Sequence, residues 1–318
     1  MFRCIDEEWA IVATVQVDAL SKTFGQKVVV DGLRFTVEPG AVTGFLGPNG
    51  AGKSTTLRLM LELERGSGRA LFDGQRYSEL SDPAQRVGAL LETRAYHPGR
   101  SVRAHLRMLT QGIGIAEERI DEVLDLVGLL PVARHRPKGF SLGMLQRLGL
   151  ACALLGAPDV LILDEPGNGM DPQGMRWLRT FLKEYAAAGN TVFVSSHQMS
   201  DLDELAERVV VIGKGRLIAD CTLADFKRGY DGGAVRVRAD SPDELRHALL
   251  RRGAVVESGP DGCLLVKQLT QREIAATALA EGVIVTELTV LEATLEEAFL
   301  HASAASVEYV TDEKAGTR

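Results

Sequence analysis

The chain is 318 residues long, enough to bury a sizeable core and to fold as two domains. Its 45% hydrophobic and 25% charged content is that of a soluble globular protein, and it has no run of about 18 or more apolar residues that could cross a bilayer. Lysine and arginine total 36 against 43 acidic residues, and the resulting formal charge of -7 argues against a general nucleic-acid surface. The 4 cysteines, Cys4, Cys152, Cys221 and Cys263, are too far apart for a metal-ligand pattern or a disulfide scaffold and fit a reducing compartment.

Residues 1–13 read as an adjustable extension, and the acidic run Asp6-Glu7-Glu8 stands where a secretory signal would be basic. Ile11 to Leu20 alternates well enough to start a sheet, and Val28 to Val37 continues it as a hairpin-like return before Pro39-Gly40 turns the chain. Val42 to Leu46 then reads as a buried strand leading into Gly47-Pro48-Asn49-Gly50-Ala51-Gly52-Lys53-Ser54-Thr55. Glycines let such a loop curl until its N–H groups and the next helix N-terminus face a polyphosphate. Lys53 supplies a mobile positive charge for the terminal phosphates, and Ser54 offers a hydroxyl to Mg2+. Thr55 to Leu63 suits the helix that follows, and Ala70-Leu71-Phe72 is a short strand closed by Asp73-Gly74.

From Ser101 the period changes. Val102, Leu106 and Leu109, then Ile120, Val123, Leu124 and Val127, form two helical stripes, so 93–155 reads as a mainly helical insertion with its return helix. Within it, Phe140-Ser141-Leu142-Gly143-Met144 precedes an apolar helical run, where a serine and a glycine can make a phosphate-facing helix end or an ordinary cap. Val160 to Leu163 is a buried strand that delivers Asp164 and Glu165 at its end. Asp164 is placed for a Mg2+ shell, and Glu165 can polarise or accept a proton from an attacking water. A helix over Met175 to Ala188 leads to the strand Thr191 to Ser195, with His197 just beyond it, able to bond a terminal phosphate or orient the water and Glu165.

After Cys221 the vocabulary changes again. Strands at Val235 to Ala239, Ala254 to Glu257, Cys263 to Val266 and Val283 to Glu287 alternate with helices at Pro242 to Arg252 and Gln271 to Ala280. A terminal helix is expected over Val290 to Leu300. The order β-α-β-β-α-β is that of a ferredoxin-like split sheet.

GPNGAGKST, VLILDEP, GNGMDP and SSH, in that order, resemble the ATP-binding subunit of an ATP-binding-cassette transporter over residues 14–220. The likeness extends to the bacitracin and multidrug exporter branch, which commonly carries an extra C-terminal region. It implies an α/β cassette ATPase core with an antiparallel β subdomain and the helical insertion. The α+β region over 221–300 carries no catalytic signature of its own, which makes dimer support or regulation its default role, and the small and polar residues after His301 read as a loose tail over 301–318.

By the same resemblance FSLGM stands where the family reads Leu-Ser-Gly-Gly-Gln. Ser141 and Gly143 would contact the γ-phosphate bound by an opposite subunit, Asp171 would communicate across the dimer, and Phe24 would stack on adenine. Leu142 and Met144 depart from the family's glycine and glutamine, and Glu92 replaces its usual switch glutamine while still able to sense Mg2+ or water. The implied cofactors are ATP and Mg2+. The implied partners are a second copy of the chain and a separate polytopic permease, holding this chain at the cytoplasmic face of the membrane, with no stable nucleic-acid partner. A soluble cassette ATPase of a nucleic-acid or ribosomal process, and an ATP-responsive scaffold with little turnover, are the competing readings.

Overall fold

The computed structural model describes residues 13–92, 96–229, 234–291 and 294–303. The chain divides into two compact units, Met1–Thr222 and Leu223–Arg318. In the first, β1 (Val15–Phe24) and β2 (Lys27–Val37) form the expected antiparallel hairpin. The next strand, β3 (Val42–Leu46), has all five residues buried, and its end feeds the glycine-rich loop into α1 (Lys53–Met60). Strand β4 (Ser67–Phe72) returns to pair with β1, giving a three-stranded antiparallel sheet in the order β2-β1-β4.

The short α2 (Pro83–Arg86) opens onto β5 (Val87–Leu90), a strand that four residues of modest alternation do not announce in the sequence. The helical insertion holds α3 (Val102–Ile113), α4 (Glu118–Leu126) and α5 (Leu142–Leu154). Ser101 caps α3 by accepting from Ala104 N at 3.3 Å, and Gly114 ends it with a left-handed φ of 70°.

The chain then re-enters the main sheet through β6 (Val160–Asp164), α6 (Pro172–Ala187), β7 (Thr191–Ser195) and α7 (Met199–Leu205). It closes the sheet with β8 (Arg208–Gly213) and β9 (Arg216–Thr222). The order is β5-β6-β7-β3-β8-β9, parallel throughout except for β9. The β8–β9 turn uses Lys214 and Gly215 at φ 50° and 82°, the double left-handed geometry that suits a two-residue hairpin.

The core lies between the two sheets. Phe35 of β2 meets Phe45 and Phe193 of β3 and β7 at ring-centroid distances of 5.9 and 5.5 Å, and Phe45 and Phe193 lie 4.9 Å apart. These rings, with Leu57 and Met60 of α1, fix the base on which the glycine-rich loop rests.

In the second unit, α8 (Leu223–Arg228) precedes β10 (Ala234–Ala239), α9 (Pro242–Arg251), β11 (Val255–Ser258), β12 (Leu264–Lys267), α10 (Gln271–Ala280) and β13 (Val285–Leu291). Its sheet is antiparallel in the order β11-β12-β10-β13, the ferredoxin-like arrangement. Val235, Val237, Val256, Leu264 and Val266 pack against Leu245, Leu249 and Ile274 of the two helices.

Several element ends shift by a few residues, and the last strand and helix differ most from expectation. Val290 and Leu291 belong to β13, paired with Val235 and Ala234 of β10, and the last described helix covers 295–303. The alternation Val285 to Leu291 extends the ladder, and the helix starts only where Thr294 and Glu297 cap it: Thr294 N donates to Glu297 Oε2 at 2.9 Å and Glu297 N to Thr294 Oγ1 at 3.3 Å. The same helix takes in residues 301–303, which departs from the expected loose tail there; the rest of that expected tail, 304–318, lies outside the described residues. Residues 1–12 of the expected N-terminal extension also lie outside them.

Candidate functional site

Three adjacent parallel strands, β6, β7 and β3, deliver their C-terminal ends to one edge of the main sheet, where crevices of open α/β sheets form. From β3, Gly47 to Gly52 loops into α1. A Cβ on Gly47 would stand 2.8 Å from the Ile212 carbonyl oxygen, and one on Gly52 would stand 2.6 Å from that of Val29. Both neighbours are backbone, so no other residue fits without moving the loop. Gly50 and Gly52 take φ values of 78° and 106°, in the left-handed region. Ala51 N donates to the Pro48 carbonyl at 3.0 Å, which tightens the loop further.

Lys53 begins α1 and is only 7% exposed. Its Nζ donates to the Gly47 carbonyl at 2.6 Å. Burial pushes its pKa below the ordinary lysine value, and the carboxylates of Glu165 and Asp164 act against that shift. The ammonium is therefore desolvated while feeling both carboxylates, which suits it to a polyanion arriving at the loop. Ser54 is exposed in the first turn of α1, and Thr56 Oγ1 donates to the Gly52 carbonyl at 2.9 Å, tying the turn to the loop.

Asp164 and Glu165 leave the end of β6. The Ser195 hydroxyl, on the neighbouring strand β7, donates to Asp164 Oδ1 and accepts from Glu165 N at 3.1 Å. One side chain thus orients both acidic residues. Glu165 itself has φ 53°, a left-handed conformation for a non-glycine residue, and its Oε2 contacts Nδ1 of His197 just past β7. The structure therefore brings Lys53, Asp164, Glu165 and His197 to neighbouring strand ends.

A second group forms around the FSLGM turn. Ser141 is the N-cap of α5, accepting from Met144 N at 3.2 Å, and Asp171 is the N-cap of α6, accepting from Gly174 N at 2.9 Å. The two turns are in contact: a Cβ on Gly143 would lie 3.3 Å from the Gly169 carbonyl, and one on Gly169 would lie 2.2 Å from Leu142 Cδ2. Leu142, where the family's glycine would stand, thus fills the space that Gly169 leaves open.

Phe24 sits at the tip of the β1–β2 hairpin, 49% exposed, with Lys22 Nζ 4.6 Å from its ring centroid. Glu92, just after β5, is engaged by Arg58 of α1 and borders a cleft of about 300 Å³ lined by Leu63, Leu90, Tyr96, Leu145, Leu148 and Cys152, among others.

Sequence reasoning missed Ser195, Gln146 and Gly169. Ser195 reads as one more residue of a buried strand, and nothing in spacing marks its hydroxyl as the link between two carboxylates. Gln146 lies inside the apolar run of α5, where a lone amide was a signal in itself. Among the described residues no group of three His, Cys, Asp or Glu side chains converges as a metal cage. A nucleotide-bound Mg2+ takes most of its ligands from phosphate and water, so a site of this kind does not call for a cage of protein side chains.

Residues 30–168 match the family described as ABC transporter, and 233–296 match a domain of unknown function, DUF8746. An uncharacterized ABC transporter ATP-binding protein of Bacillus subtilis, YdbJ, is 31% identical over 92% of this chain and 96% of its own length. The bacitracin transport ATP-binding protein BcrA of Bacillus licheniformis is 38% identical over 66% of this chain and 70% of its own. The lantibiotic transport ATP-binding protein SrtF of Streptococcus pyogenes is 32% identical over 69% and 92%. A solved structure titled as the ATP binding subunit of an ABC transporter superposes with a TM-score of 0.62 at 27% identity, over 68% of this chain and 92% of that one. With the loop, the strand-end carboxylates and the cassette topology already in place, these likenesses settle the family: the chain belongs to the ATP-binding subunits of ABC transporters, in their bacitracin-type branch.

Proposed function

We propose that two copies of this chain enclose two ATP-Mg2+ units, hydrolyse them, and so drive a separate membrane-spanning permease that exports an antibiotic, drug, lipid or peptide-like compound. The observation that carries the reading is the Lys53, Asp164, Glu165 and His197 constellation at the ends of β3, β6 and β7. The loop N–H groups and Lys53 bind the phosphates, while Phe24, exposed at its hairpin tip, stacks on adenine. Ser54 and Asp164 would hold Mg2+, which when bound would neutralise phosphate charge. Glu165 takes the proton of the attacking water, and His197 keeps its carboxylate turned toward that position.

Ser141 and Gly143 face the nucleotide of the other copy, and Asp171, on the turn packed against theirs, reports closure across the dimer. Closure satisfies the phosphate charge from both sides, and hydrolysis weakens it. Glu92, paired with Arg58 in this structure, would sense Mg2+ or water. The helical insertion and the cleft beside Glu92 contact the permease, since no described helix is long and apolar enough to cross a membrane. That partner holds the chain at the cytoplasmic face, and the C-terminal unit supports or regulates the dimer. The bacitracin and lantibiotic transport relatives support an antibiotic as the compound moved.

The test is Glu165→Gln in the purified protein. ATP binding is expected to persist while magnesium-dependent turnover falls by about 10²-fold or more. Rapid steady-state turnover in that variant would refute the assignment of Glu165.

A further inference from the structure

Gln146 of α5 is 1% exposed in a helix otherwise packed with leucine and alanine. Its Nε2 donates to the Glu165 carbonyl at 3.1 Å, while its Oε1 is buried with no hydrogen-bond partner. A half-satisfied amide in an apolar core is a net cost to the fold, so its presence asks for a reason other than stability. The bond it does make points to one. Glu165 is held at φ 53°, a backbone state that a non-glycine residue keeps only when its surroundings over-determine it.

Both peptide groups of Glu165 are held. Its N–H is taken by Ser195, through the side-chain oxygen at 3.1 Å and the backbone carbonyl at 3.2 Å. Its carbonyl accepts from Asn168 N at 3.1 Å and from Gln146 at the same distance, which fills both lone pairs. Of these partners only Gln146 comes from outside the β6–β7 edge, and it does so from the helix that Ser141 caps.

We propose that Gln146 is a positioning residue for hydrolysis: through the Glu165 carbonyl it holds the Glu165 backbone in its left-handed state and so aims the carboxylate, joining the signature helix of a chain to that chain's own Glu165. This rests on the reading of Glu165 given above. It extends that reading to a residue that never touches nucleotide.

The experiment compares four purified proteins, the parent, Gln146→Met, Glu165→Gln and the double variant, by thermal unfolding, ATP binding and magnesium-dependent turnover. Methionine has nearly the volume of glutamine and removes the orphaned acceptor along with the donor, so Gln146→Met is expected to unfold no earlier than the parent. ATP affinity should stay within about twofold, while kcat should fall between about 10- and 100-fold, the effect of a misaimed group at constant binding. In the Glu165→Gln background the same change should remove nothing further, because Gln146 acts through Glu165.

Parent-like turnover of Gln146→Met, or an equal further loss in the Glu165→Gln background, overturns the inference. So does failure to fold of both Gln146→Met and Gln146→Leu, since the amide would then be a structural anchor. If instead Glu165→Gln itself turns over at the parent rate, it is the earlier reading that fails.

Discussion

Gly50 and Gly52 lie two residues apart in the same loop with left-handed backbones, yet a side chain would meet different surroundings at each. At Gly50 an added Cβ has nothing within 4 Å, whereas at Gly52 it meets the Val29 carbonyl oxygen at 2.6 Å. Gly50→Ala therefore carries only the backbone penalty of about 1–2 kcal/mol. Gly52→Ala adds the displacement of a packed strand, about 1–3 kcal/mol more. For a unit of this size each kcal/mol lowers Tm by about 2–4 °C, so Gly52→Ala should melt roughly 2–12 °C below Gly50→Ala. If the added distortion stays in the loop and must be reversed to bind phosphate, ATP affinity should drop by a further factor of about 5 to 150. Thermal unfolding and equilibrium ATP binding on the two variants read both numbers. Equal melting and equal affinity would refute the idea that the approach of Val29, rather than the φ angle alone, demands glycine at 52.

Other consequences follow from single groups. Burial lowers the pKa of Lys53 below that of the unfolded chain, so below its folded value the desolvation cost is fully present, and stability rises with pH between that value and 10.5. Thermal melts of the parent and Lys53→Met should accordingly shift in favour of the parent as pH climbs toward 10.5; a constant gap would contradict the burial argument. Asp171→Ala removes the acceptor for Gly174 N at 2.9 Å and should cost about 1 kcal/mol, or roughly 2–4 °C in Tm. Burial pushes the Cys152 thiol up to about 12, so near pH 8 it should react with alkylating reagents roughly a thousandfold more slowly than an ordinary thiol, as mass spectrometry of the native protein would reveal.

Much of this architecture is legible in the sequence because its signals are local. The glycine-rich loop declares itself through residues whose absent side chains are needed, and the structure finds backbone oxygens where Gly47 and Gly52 would carry a Cβ. The split sheet of the second unit is readable from its order of strand and helix candidates, with β13 starting two residues later and ending four residues later than expected: Val290 and Leu291 look helical beside Leu295 and Leu300 until their pairing with β10 is seen. Strands β5, β8 and β9 were not assigned. Four residues are too few to show a period, and a run such as Arg208 to Gly213, buried on both faces, has no alternation to read. The engagement of Glu92 by Arg58 and the hold of Ser195 and Gln146 on Glu165 join residues far apart in the chain. Such contacts exist only once α1 has met the segment after β5, and β6 has met β7 and α5, so spacing alone carries no trace of them.

The central claim is that ATP acts as a ligand between two copies of this chain, held in place until Glu165 acts. Light scattering on purified Glu165→Gln, with and without ATP and Mg2+, tests it most directly. The account predicts a monomer that becomes a lasting dimer when nucleotide is added, with the parent protein dimerising only transiently. A variant that binds ATP fully and remains monomeric at every concentration tested would contradict it.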